Sequence, residues 1–346
     1  MSNLPLVFGE LAYWQQTVLR VVGVLVAVLI PAGTLVYVFL FKMMSHMQSR
    51  LGPMEAGPHG SLQLMAEVGK FIQKEDIVPE RADRTLFKLA PFLVVGTVLL
   101  VYVVVPFGPD LYFADLDIGV FYALAVSAVS VIGVLVAGWS SANKYSLMGG
   151  LRAAGQLIAY ELPMVLAVVG VVIQAGTLNL QGIVASQAEG EIFGFGGLGN
   201  PFVITQIVGF GIFLVATQAE LTQTPFDMPV AESELVAGYM TEYSGMRFLL
   251  FFIGEFASAG AFAAVAATLF LGGWWLPGFD LDADIMNVIG PVVLLSKMMF
   301  VAFLIFWFRF TYPRFREDQL QTLAWKYLIP LSLANIMVTA VLKVVF

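Results

Sequence analysis

The chain has no cysteine and only two histidines among its 346 residues, and just 12% of them are charged, against about 25% in ordinary soluble domains. Without thiolates it can form no disulfide and hold no iron–sulfur cluster of its own. His46 and His59 both fall outside the apolar stretches, which excludes a haem held between two intramembrane histidines. The N-terminus lacks the basic segment and small-residue cleavage site of a signal peptide, so the first apolar stretch is expected to be retained. Hydrophobic residues take up the difference, at 59% against about 45–50% in ordinary domains. Several uninterrupted apolar stretches reach the roughly 20 residues that cross a bilayer as a helix. The composition therefore predicts an all-α polytopic membrane helix bundle. With no internal repeat and no soluble domain visible, residues 1–346 read as one membrane domain.

Eight spans are predicted, at about 18–41, 90–107, 118–139, 155–177, 202–220, 248–271, 287–308 and 327–346. The basic residues support this count, because they mark the cytoplasmic side of a membrane protein. The loops 42–89, 140–154, 221–247 and 309–326 hold fourteen of the seventeen lysines and arginines. Only Arg20 and Lys343 fall to the other side, and Lys297 lies inside the seventh span. The outer loops carry Asp110, Asp115, Asp117, Glu189, Glu191, Asp280, Asp282 and Asp284 and no base. Both termini are thus expected on the outer side. In the first inner loop a cluster of Gly52, Pro53, Gly57, Pro58 and Gly60 forces irregular backbone. Residues 61–74 follow, with Leu64, Val68, Phe71 and Ile72 at helical spacing and Glu67, Lys70 and Lys74 between them. That pattern predicts an amphipathic helix lying on the membrane surface or under a partner. His59, between Pro58 and Gly60, and His46 read as loop residues rather than ligands. The run GFGGLGN at 194–200 reads as plain loop, since no strand precedes it and no phosphate-binding lysine follows.

The most unusual stretch is AELTQTPFDMPVAESELVAGYMTEYSGMR, residues 219–247. Glu220, Asp227, Glu232, Glu234 and Glu242 meet one base, Arg247, between two membrane spans. Pro225 and Pro229 break the start of it. Glu234, Gly238 and Glu242 then lie four apart, so a helix here would put both carboxylates on one face, about 12 Å apart, with Glu232 turned away. A solvated loop would be the plain reading of such a charge run. Phe226, Met228, Leu235, Val236, Tyr239, Met240 and Tyr243 are interleaved with the acids, however, and predict partial burial. Partly buried neighbouring carboxylates hold protons more tightly and share them near neutral pH.

Three ionisable groups fall inside spans: Glu161 next to Pro163, Glu255 and Lys297. Pro163 deprives the Ala159 carbonyl of its usual partner, so a kinked and hydrated helix is expected there. The plain readings are a structural Glu255–Lys297 tie and a Glu161 that snorkels to the inner surface. Together with the inner carboxylates, the three favour a proton-conducting route, because ionisable groups in spans mark ion pathways.

The segments QSRLGPMEAGPHGSLQLMAEVGKFIQKED (48–76), GLRAAGQLIAYELPM (150–164), PFDMPVAESELVAGYMTEYSGMRFLLFFIGEF (225–256) and RFREDQLQTLAWKYLIP (314–330) carry a resemblance. They closely resemble the H-subunit family of bacterial NADH:quinone oxidoreductase, respiratory complex I, whose mitochondrial form is the ND-one type. The resemblance covers nearly the whole chain. It implies a heel subunit in the bacterial cytoplasmic (inner) membrane, joining a peripheral electron-transfer arm to a proton-pumping membrane arm. The implied partners are cluster-bearing and quinone-site subunits of that arm, small membrane subunits next to the antiporter-like ones, and lipid; no nucleic acid is expected. The implied substrate is a quinone, with no metal, flavin or iron–sulfur cluster bound in this chain and no catalytic residue of its own.

On these positions the resemblance implies a quinone chamber and entrance drawing on Arg50, Gly52, Pro53, Glu67, Lys70, Phe71, Phe226 and Asp227. It implies proton coupling through Glu161, Glu220, Asp227, Glu232, Glu234, Glu242 and Glu255, to which Lys297 is added as the third intramembrane charge. Arg152, Arg247, Arg309, Arg314 and Arg316 match positions that hold loops or face peripheral subunits. Two departures stand out: Leu40 and Phe41 replace the usual glutamate–arginine pair before Lys42, and Met54 and Glu55 replace asparagine and arginine. The equivalent subunit of an energy-converting hydrogenase or of a deazaflavin-dependent dehydrogenase is the alternative within the superfamily. An ion-coupled transporter predicts an inverted repeat, which the sequence lacks. An inert anchor predicts acids that matter only for assembly.

Overall fold

The computed structural model describes residues 13–190, 199–277 and 284–345, and no strand occurs among them. Glu191, Asp280, Asp282 and most of the GFGGLGN run lie outside the described residues. In chain order the helices are α1 (Tyr13–Leu35), α2 (Met44–Met47), α3 (Gln63–Gln73), α4 (Arg84–Tyr102), α5 (Gly119–Ser140), α6 (Lys144–Ala175) and α7 (Leu180–Glu189). There follow α8 (Phe202–Thr205), α9 (Ile207–Glu220), α10 (Glu232–Leu235), α11 (Gly245–Phe270), α12 (Asp284–Thr311), α13 (Glu317–Thr322) and α14 (Ile329–Val345). Two π-helical segments, Val36–Met43 and Leu323–Leu328, continue α1 into α2 and α13 into α14. Among the described residues seven helical stretches are long and apolar enough to cross a membrane, and this is a multi-pass membrane protein. The eighth apolar helix, α9, is shorter, at 14 residues.

Side-chain oxygens start several of these helices. The Asp83 carboxylate accepts from the Thr85 and Leu86 amides of α4, at 3.1 and 3.2 Å. Asn143 does the same for Tyr145 of α6 at 2.8 Å, and Asn179 for Gly182 of α7 at 2.8 Å. α6 ends on Gly176, whose left-handed φ of 77° lets its amide return to the Val172 carbonyl. α6 runs unbroken through Pro163. Small residues set the closest approaches, as membrane helices require. A Cβ on Gly138 of α5 would stand 2.6 Å from the Ser146 carbonyl and 3.1 Å from Gly150 Cα of α6. α11 is the most enclosed span, its buried face built largely from alanine, glycine and phenylalanine.

The predicted surface helix is α3. Phe71 stacks on Phe248 of α11 at 5.7 Å, and Leu64 approaches Gly33 of α1. Its outer face leaves Met65 and Ile72 exposed. The Gly/Pro cluster before it is pinned rather than loose. Lys42 donates to the Pro53 carbonyl at 2.7 Å, Tyr37 donates to that of His59 at 3.2 Å, and Gly60 at φ 76° packs its Cα against the Pro53 carbonyl.

Candidate functional site

α9 sets the geometry of the acidic stretch because it stops early. At 1.5 Å per residue its 14 residues span about 21 Å, against about 48 Å for the 32 residues of α6 beside it. Thr222, with φ 52°, and the following Pro225 turn the chain off the helix. The acidic stretch then runs back along one face of α6. Gln156, about 18 Å along α6 from its inner end, donates at 2.7 Å to the carbonyls of both Ala219 and Phe226. One turn nearer that end, Arg152 holds Glu234 at 2.6 Å. Gly149 then admits the backbone of Gly238 and Tyr239, to which a Cβ would come within 2.7 Å. Asn143, which starts the helix, donates to Glu242 at 2.5 Å. Residues 156, 152 and 149 are four and three apart, the spacing of a single helical stripe.

The stretch does not form the helix expected from the four-residue spacing of its acids. Only Glu232–Leu235 is α-helical; Val236 takes φ 67°, Gly238 takes φ 54°, and a 3-10 turn follows at Gly238–Met240. A side chain on Gly238 would overlap the Pro229 carbonyl, so the chain hugs Gly149 at the expense of helical geometry. Glu234 and Glu242 therefore do not share a helix face. Glu234 is exposed and paired with two arginines, Arg152 and Arg314. The Arg152 hydrogen bond, chiefly, holds its carboxyl below the usual range. Glu232 is exposed as well. Glu242 lines an open cleft at the inner end of α6 that also carries Arg81 and Lys144.

Asp227, Glu220, Glu161 and Glu255 form the inner part of the group. Phe226, 3% exposed, is wedged between Tyr160 and Phe315 at 5.1 and 5.5 Å, and the Phe315 amide donates to Pro225 at 2.9 Å. This wedge seats Asp227, which is half-buried. Desolvation, opposed by the Ala231 amide and by Arg314, pushes its carboxyl up to about 6. Glu255 is paired with Arg309 at 2.7 Å and accepts from Gln223 at 3.3 Å. The expected Glu255–Lys297 tie is absent: the Lys297 ammonium is spent on the Trp275 carbonyl at 2.6 Å, in the turn after α11 where carbonyls lack helical partners. Glu161 lies within electrostatic reach of Glu220. Buried acceptors without a protein partner gather here: Gln156 Oε1, Thr217 Oγ1, Gln218 Oε1, Glu220 Oε2 and Gln223 Oε1.

The chamber residues form a second group, held by other elements. Arg50 bonds Gln48 at 2.8 Å and is exposed; Gly52, at φ 72°, fits against the Phe41 carbonyl and Ser45. Glu67 accepts from Gln63 at 3.2 Å, and Lys70 lies 5.1 Å from the Phe71 ring. An aromatic column joins the two groups. Phe39 stacks on Phe306 at 5.2 Å, Phe306 on Phe256 at 5.6 Å, and the Arg309 guanidinium lies 5.7 and 5.9 Å from the Phe256 and Phe306 rings. Arg247 bonds Asp76 at 2.9 Å, fixing the end of the first inner loop to the start of α11. Arg316 pairs with Asp318 at 3.3 Å, and both are exposed. No cluster of three or more metal-binding side chains occurs among the described residues.

A family model described as NADH dehydrogenase matches residues 19–340. The chain belongs to that family. It is 43% identical to the NADH-quinone oxidoreductase H subunit of Brevibacillus brevis over 330 residues, covering 95% of this chain and 94% of that one. The H subunit of the same enzyme from Bacillus cytotoxicus is 46% identical over 306 residues, 88% of this chain and 87% of that one. A second-copy H subunit from Syntrophobacter fumaroxidans is 46% identical over 326 residues, 91% and 92% of the two chains. Sequence reasoning singled out the acids and arginines of the site but missed Gln156, Gly149, Asn143 and Gln223, which place them. The signal for two of these was the 149–152–156 stripe, polar or small where a span is otherwise apolar.

Proposed function

We propose that this chain is the membrane subunit of a proton-translocating NADH:quinone oxidoreductase, framing the quinone chamber and passing its state to proton pumping through carboxylates. The observation that carries the reading is the folding of an acidic stretch to membrane depth, with five partnerless buried acceptors around it. Such acceptors call for water, and carboxylates among water are the materials of a proton route. The names of the relatives support the electron-transfer assignment.

In this mechanism quinone is reduced at the inner ends of α1 and α3, by electrons from a cluster in a partner subunit. The charge change is felt at Arg309 and Glu255 through the Phe39–Phe306–Phe256 column, and at Asp227, whose proton is loosely held near neutral pH. Glu220, Glu161 and Glu255 relay it onward, while Glu234 is a structural clamp between Arg152 and Arg314. The positive loops place the inner ends in the cytoplasm and both termini outside, in a bacterial inner membrane. Inverted vesicles from cells lacking this chain test the reading. They should lose NADH-driven quinone reduction and acidification together, and regain both with the restored gene. Loss of hydrogen- or deazaflavin-driven reduction with NADH oxidation intact would overturn it.

A further inference from the structure

A cavity of about 40 Å³ lies where α4, α5, α9 and α11 meet. Its polar lining consists of Thr97, Ser127, Ser130, Ser258 and Glu220, and everything else around it is apolar. At about 10–15 Å³ of such space per molecule it has room for two or three waters. Thr97 donates its hydroxyl proton to the Val94 carbonyl at 2.8 Å, and Ser127 donates to Leu124 at 2.8 Å. Carbonyls only accept, so both hydroxyls present nothing but lone pairs to the cavity. Glu220 adds a carboxyl whose Oε2 is buried with no protein partner. A lining of this kind rejects anions and has no use for an apolar guest. It selects something that donates.

We propose that this cavity is a water site in which Thr97 and Ser127 orient bound water against Glu220, making them positioning residues for its proton. The proposal rests on the carboxylate reading above. In the step it describes, the O–H bond of protonated Glu220 breaks as one forms on the water oxygen. The resulting hydronium donates to the two fixed hydroxyl oxygens, and the carboxylate left behind is re-protonated from Glu161 or Asp227. No side chain of α4 or α5 carries charge at the site; its acceptors only hold the water in line. A bare cation is the other donor-like guest, but the cavity exceeds the size of one ion and supplies a single carboxylate.

The test uses the assembled complex in proteoliposomes, with Thr97→Val, Ser127→Ala, the double variant and Glu220→Gln. Thr97→Val keeps the shape and removes one acceptor. Each lost acceptor is expected to slow NADH-driven proton translocation about fivefold. The infrared carboxyl band of Glu220 should shift, and the water bands sensitive to ¹⁸O-labelled water should vanish in the double variant. Unchanged bands and pumping in the double variant, with Glu220→Gln inactive, sink the water site and leave the carboxylate route standing. A Glu220→Gln complex that pumps normally sinks both. Rates that follow sodium concentration at fixed pH and ionic strength would replace the water by a cation and overturn the assignment.

Discussion

Gln156 shows how a neutral residue decides where the acids sit. Its amide ties the end of α9 to the Phe226 turn, and neither carbonyl has another route to a partner at that depth. Gln156→Leu keeps the bulk and strands both acceptors, a cost of about 2–4 kcal/mol. It should lower the thermal midpoint of the purified protein and open residues 221–244 to protease. Asp227 carries a pH signature. An unfolded aspartate ionises near 3.8, whereas the folded one keeps its proton to about 6. Between these values the folded chain binds more protons, so stability falls as pH rises from about 4 to about 6 and is flat above. Asp227→Asn should flatten that part of a melting-against-pH profile; an unaltered slope would place the titration elsewhere. The acids and arginines were legible as residue types. Their division into a clamped, exposed Glu234 and a desolvated Asp227 was not, because it depends on arginines 82 and 80 positions away.

The elements follow from hydrophobic length, and here the sequence was most readable: eight apolar stretches became helices, and the spacing of Leu64, Val68 and Phe71 became α3. What periodicity could not reveal was the path of the 221–244 segment. Its acids are spaced like a helix, but Gly238 and Gly149 together favour close backbone contact, and packing against α6 outweighs local propensity. Gly149→Val tests this. The new side chain meets backbone rather than a flexible side chain, so the cost should be about 1–3 kcal/mol, with the loop detached and the spans intact. Protection from hydrogen exchange should fall in 232–244 and hold in α6 and α11. The two π segments also escaped the sequence, since one extra residue per turn leaves the apolar pattern nearly unchanged. The first of them carries Phe39 into the aromatic column beside Arg309.

Across the whole molecule, charge sorts by depth. Bases gather on the inner side, acids without bases line the outer loops, and a third set of acids is drawn between the spans by the early end of α9. The family was legible from four segments of sequence because those segments build this one contact surface on α6 and its neighbours. The replacements at Leu40, Phe41, Met54 and Glu55 sit apart from it: Phe41 is buried, Glu55 is exposed, and Lys42 reaches the Met54 sulfur at 3.3 Å. The central claim is that protons move through the inner carboxylates as quinone is reduced. Protons translocated per NADH oxidised, measured in proteoliposomes holding the Glu220→Gln complex, test it most directly. The account predicts an assembled complex in which translocation falls by about tenfold or more; a wild-type ratio at a wild-type rate would contradict it.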